Sequence, residues 1–105
     1  MSGKTQVAKT KDLPPGKAVA LTVGSKRIAV FNSSGKFFAI DDTCTHAGGP
    51  LSEGDLAGNI ITCPWHGATF DITNGNSLEG PASESVKSYK IFVEGEDIKI
   101  EITGS

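Results

Sequence analysis

Apolar and polar side chains alternate with a period of two over much of this chain. Val19, Leu21 and Val23 alternate with Ala20 and Thr22, the signature of a half-buried strand. Ile28, Val30 and the neighbouring Phe31 mark a second strand and Phe37 to Ile40 a third, separated by turn residues at Gly24-Ser25-Lys26 and Asn32-Ser33-Ser34-Gly35. Near the end, Tyr89, Ile91 and Val93 alternate with Lys90, Phe92 and Glu94. After Gly95-Glu96-Asp97 come Ile98, Ile100 and Ile102. That pattern predicts a hairpin with one apolar face, with Val93 on it. No segment carries a 3.6-residue period.

The middle reads differently. Lys9 to Gly16 is a polar lead-in ending in the turn Leu13-Pro14-Pro15-Gly16, and residues 41–59 are irregular, with the breakers Gly48-Gly49-Pro50 in a row. Ile60-Ile61-Thr62 is a brief apolar run. Thr69 to Ile72 and Ser77-Leu78 flank Asn74-Gly75-Asn76, a strong hairpin signal. Another loop follows at Gly80-Pro81-Ala82-Ser83. We read one all-β domain over 1–105, an antiparallel sandwich or small barrel with a loop-rich insertion between its strands.

That insertion holds the chemistry. Cys44-Thr45-His46 and Cys63-Pro64-Trp65-His66 contain the only two cysteines and the only two histidines of the chain. Thiolate and imidazole together suit zinc or an iron–sulfur cluster. A structural zinc site commonly draws two Cys from one knuckle and two His from another. Here each segment carries one of each. That arrangement suits a two-iron cluster to which each segment gives one ligand per iron, and a zinc-bound interaction module remains the alternative.

The spacing C-x-H-x(16)-C-x2-H, extended through Gly67, Phe70-Asp71 and Gly80-Pro81-Ala82, resembles the Rieske 2Fe–2S motif. The resemblance spans the chain and implies a Rieske-like antiparallel β-sandwich with a cluster-binding two-loop subdomain at about 41–70 and a third, covering loop at about 79–84. It implies one 2Fe–2S cluster, with Cys44 and Cys63 on one iron and His46 and His66 on the other. Two histidines on one iron is the known ligation of Rieske centres. Gly48, Gly49 and Gly67 then become backbone donors or close-packing positions. Pro81 sits in the shielding loop, and Trp65 covers the cluster or caps the core between the loops.

Within the family, the respiratory and photosynthetic branch adds a disulfide between the loops and Ser and Tyr hydroxyl donors near the sulfurs. This chain has Gly49 and Trp65 at the disulfide positions and Ala68 and Phe70 at the donor positions. Fewer donors disfavour the added electron. The expectation is a low-potential carrier near −150 mV, roughly the low end for Rieske centres. The resemblance therefore points to the ferredoxin component of aromatic-ring dioxygenase systems, taking electrons from an NAD(P)H-dependent flavoprotein reductase and passing them to a terminal oxygenase. The small subunit of an assimilatory nitrite reductase is the alternative of the same fold.

Charge narrows the partners. Residues 1–36 carry a net +6 and residues 37–105 a net −8, giving −2 for the chain. From Asp41 to Glu84 there are seven acids and no Lys or Arg, a surface that either keeps the protein soluble or steers it toward basic partners. There is no basic footprint for nucleic acid. No apolar run is long enough for a membrane span and no signal-peptide core opens the chain, so a cytoplasmic monomer is expected. With both histidines committed to the cluster, none is left for a mononuclear iron site, so the chain is expected to carry electrons and not to catalyse.

Overall fold

A computed structural model describes residues 3–24, 26–43, 50–65, 67–79 and 85–102. Among these residues, ten strands form two antiparallel sheets. Six of them, β1 (Gly3–Lys9), β2 (Ala18–Val23), β3 (Lys26–Ser33), β4 (Lys36–Asp41), β9 (Ser88–Glu94) and β10 (Asp97–Ile102), lie in the order β1-β10-β9-β4-β3-β2. Between β4 and β9 the chain leaves to build the second sheet, β5 (Asp55–Ala57), β6 (Ile60–Thr62), β7 (Thr69–Asp71) and β8 (Ser77–Glu79), in sequential order. The insertion read from the sequence is thus a small sheet of its own.

The larger sheet folds over itself because β4 and β9 pair only at Ala39–Tyr89 and Ile40–Ser88. Its two halves face each other across one buried cluster, in which Ile98 and Ile100 of β10 meet Ile28 and Val30 of β3, with Leu13, Ala39 and Tyr89. β3 is the wall of the molecule. Side chains alternate across a strand, so Ile28 and Val30 point to this basal core while Ala29 and Phe31 point the other way. There they join Ile40, Leu51, Ile61, Cys63, Ala68, Phe70, Ile72 and Val86 in a second buried cluster. Every residue from Ile28 to Ser33 is buried, which is why this stretch reads as a nearly unbroken apolar run rather than a clean alternation.

Three features depart from the sequence reading. β1 was not signalled: it is an edge strand, paired only with β10 and slipped between Gln6 and Ala8, and its Lys and Gln positions hide the period. β5, three residues within the stretch read as irregular, is held by β6 across Asp55–Thr62 to Ala57–Ile60. Val93, expected on the apolar face, is 48% exposed. Beyond Tyr89 and Ser88 the β9 strand has no partner on the β4 side, so its far end is not covered there.

Two glycines are required by close approach. A Cβ on Gly54 would overlap the Thr62 carbonyl, and one on Gly75 would overlap that of Val86. Gly75 also has φ +81, the left-handed region that suits the Asn-Gly turn. Among the described residues no helix is long and apolar enough to cross a membrane.

Candidate metal centre

The site is built where the insertion turns back on itself. At its neck, the Asp41 amide donates to the Lys87 carbonyl at 2.9 Å, and the Lys87 amide donates to Asp41 Oδ2 at 3.3 Å. The Tyr89 hydroxyl donates to Asp41 Oδ1 at 2.6 Å. Burial first, and then this carboxylate, push the Tyr89 phenol well above its ordinary pKa, because both oppose a second negative charge. The outgoing and returning strands are thereby locked side by side.

Two residues beyond Asp41, Thr43 bridges Pro50. This closes the base of the first ligand-bearing segment, and the chain then enters a short 3-10 helix at Leu51–Glu53 whose Leu51 is fully buried. The second segment closes in the same way. The Cys63 amide donates to the Ala68 carbonyl at 2.7 Å, and the Gly67 amide donates to the Cys63 carbonyl at 3.2 Å. Leu51, Cys63 and Ala68 belong to one buried cluster, so the bases of both segments meet on the β3 wall.

Of the ligands expected from the sequence, Cys63 is placed in that cluster at 2% exposure. Cys44, His46 and His66 lie outside the described residues, as do Gly48, Gly49 and Pro81. Gly67 has φ +77 and open space around a would-be Cβ, so glycine there serves the turn, and its amide is given to Cys63. Trp65 is 57% exposed and therefore does not cap the core. Ala68 and Phe70 are fully buried, leaving no side-chain hydroxyl at either position.

The donor chemistry fits an iron–sulfur cluster. A cysteine sits in an apolar cluster at the foot of a tight turn, a soft ligand in low-dielectric surroundings of the kind such clusters occupy. The sequence reading passed over Asp42, which is buried just before the first segment and hydrogen-bonded to Leu51 and Ser52 just after it. The only signal for it was an acid two residues after the apolar run Phe37–Ile40 and two residues before Cys44.

Comparison with known proteins agrees with this geometry. The naphthalene 1,2-dioxygenase system ferredoxin component of Pseudomonas aeruginosa is 33% identical over 92 residues, covering 88% of each chain. The 3-phenylpropionate/cinnamic acid dioxygenase ferredoxin subunit of Shigella boydii is 39% identical over 92 residues, covering 87% of this chain and 86% of the relative. Among solved structures, a chain from the complex of reduced oxygenase and oxidized ferredoxin in carbazole 1,9a-dioxygenase superposes with a TM-score of 0.87 at 31% identity, covering 92% of this chain and 91% of the other. The Rieske [2Fe-2S] domain matches residues 3–90. With the sheet order, the paired loop bases and a buried Cys63 beneath them, this match makes the chain a member of the Rieske [2Fe-2S] domain family.

Proposed function

We propose that this protein is the ferredoxin of an aromatic-ring dioxygenase system, an electron carrier that does no catalysis itself. The observation that carries the reading is the contrast at the second segment: Cys63 is 2% exposed in the core, while Trp65, two residues on, is 57% exposed. A ligand anchored inside and a loop end reaching solvent suit a group that must be held rigidly yet met by a partner. The relatives whose length this chain nearly matches are dioxygenase ferredoxin components.

On this reading Cys44 and Cys63 hold one iron of a single 2Fe–2S cluster, and His46 and His66 hold the other. When bound, the cluster takes up and releases one electron. The protein supplies a rigid frame through the two closed loop bases. Gly48, Gly49, Trp65 and Pro81 pack around or shield the centre, and the Gly67 turn lets the second segment double back. Buried Ala68 and Phe70 offer no hydroxyl to the sulfurs, so the potential lies low, at about −150 mV. An NAD(P)H-dependent flavoprotein reductase supplies the electrons and a terminal oxygenase receives them. The working form is a monomer in the cytoplasm. The seven acids between Asp41 and Glu84 steer it toward basic partner surfaces.

The deciding measurement is iron and acid-labile sulfide per chain on anaerobically handled protein, with an EPR spectrum after dithionite. Two irons, two sulfides and a Rieske-type reduced signal are expected; zinc, or a colourless metal-free protein, overturns the carrier reading. Stopped-flow oxidation of the reduced protein by a terminal oxygenase should then slow as ionic strength rises.

A further inference from the structure

Among the described residues, Asp42 is the only charged residue that is buried, at 2% exposure. Every polar part of it is used. Its amide donates to the Arg27 carbonyl at 2.9 Å and its own carbonyl accepts from the Leu51 amide at 2.6 Å. Carboxylate Oδ1 accepts from the Ser52 amide at 2.8 Å, and Oδ2 accepts from Arg27 Nε at 3.3 Å. One residue thus joins β3, the end of β4 and the start of the 3-10 helix. It does so just outside the Thr43–Pro50 bridge, at both ends of the segment that carries Cys44 and His46.

A buried carboxylate is a costly way to make such a joint, since desolvation opposes the charge unless it is paired. A neutral amide could keep the bond from Ser52, but its NH2 is a donor and could not accept from Arg27 Nε as Oδ2 does. What a carboxylate adds is a fixed negative charge two residues before Cys44, offset by an Arg27 side chain that is 54% exposed. A nearby negative charge disfavours an added electron, and a nearby positive one favours it.

We propose that Asp42 is a positioning residue for the cluster: it fixes both ends of the first ligand segment and, together with Arg27, sets how strongly the centre holds its electron. This rests on the electron-carrier reading, and the test separates the two. The parent protein is compared with Asp42→Asn, Arg27→Gln, Arg27→Lys and the double variant Asp42→Asn/Arg27→Gln. The readouts are iron and sulfide content, the midpoint potential, and the rate of iron loss to a chelator.

Asp42→Asn is expected to raise the potential, on the order of a tenfold change in the one-electron equilibrium, or about 59 mV, and to speed iron loss. Arg27→Gln should lower the potential by less, because its side chain is half in water. Arg27→Lys should return it toward the parent, since one N–H and the charge are restored. The double variant should lie between the two single changes. Cluster-loaded variants that all keep the parental potential, or Asp42→Asn and Arg27→Gln shifting it in the same direction, overturn the inference. If Asp42→Asn does not fold, the half-exposed Arg27 pair of variants still decides it. A parent lacking iron and sulfide overturns the carrier reading itself, and this inference with it.

Discussion

The two buried clusters share the β3 wall but are closed by different means. On the basal side the strands run six to eight residues, Lys26–Ser33 being the longest, and their apolar positions face each other across the folded sheet. On the insertion side the strands are three residues each. So short a ladder needs help. Some of it comes from side-chain clamps: Asp41 with Tyr89, Asp42 with Arg27 and Ser52, and Ser33 Oγ donating to the Gly58 carbonyl at 2.7 Å. Charge divides the same way, with seven acids and no Lys or Arg from Asp41 to Glu84, and all ten basic residues elsewhere. Both halves bury an apolar cluster, but the basal one is closed by long paired strands. The other is a holder whose order depends on a few polar joints and, on the proposed reading, on the metal.

The largest effect expected from that division is at Cys63. Cys63→Ala should abolish cluster binding, measured as iron and sulfide per chain. Hydrogen exchange should then show the insertion amides, such as Ile72 and Val86, losing protection while those of Ile28 and Val30 keep theirs. Equal loss on both sides of β3 would erase the distinction drawn here. Phe31 tests the wall itself. It is fully buried and packs in the insertion-side cluster, so Phe31→Ala should cost about 3–5 kcal/mol in chemical denaturation, with the insertion loosening before the basal sheet.

How much of this division was legible beforehand follows from the kind of side chain involved. The basal strands declared themselves because Val19, Leu21 and Val23, and then Ile98 and Ile100, are large apolar residues at a strict period. The metal ligands declared themselves because Cys and His occur nowhere else in the chain. The joints did not. Asp41, Asp42 and Arg27 are common residues on any protein surface. Nothing in their order reveals that Asp42 is 2% exposed, or that its partners are the backbone of Leu51 and Ser52 and the side chain of Arg27. β1 was hidden by its polar edge, and β5 by being too short for any period to register. Val93 failed in the opposite sense. Its alternation was real, but the β4–β9 pairing ends before reaching it.

Tyr89 sharpens the comparison at an intermediate size. Tyr89→Phe removes the 2.6 Å bond to Asp41, a hydrogen bond to a charged group, and should cost about 1.5–3 kcal/mol. Its pH signature has a definite sign. The folded protein holds the phenolic proton more tightly than the unfolded chain does, so the contribution is complete below the unfolded value. It declines as pH rises above about 10, where only the unfolded state gives up the proton. Urea melts of parent and variant should therefore differ by a constant amount up to about pH 10 and converge beyond it. A difference that stays constant through that range would mean the phenol is not held as described.

The smallest effect is the most direct control on the two halves. Ile61 and Ile100 are both buried, at 1% and 0% exposure, one in each cluster. Ile→Val removes the same methyl from each, and each should cost about 0.5–1.5 kcal/mol. If the insertion leans on its metal, the two should part company when iron is removed. Ile100→Val should lower stability by the same amount with or without the cluster, because its surroundings are closed by long strands. Ile61→Val should show its full cost only while the cluster is bound. Without it, the neighbours of Ile61, Cys63 among them, can close over the missing methyl, and the penalty should shrink. Denaturant melts of the parent and both variants, each with and without the cluster, measure this directly, and four equal penalties would show that the insertion-side core is as self-sufficient as the basal one.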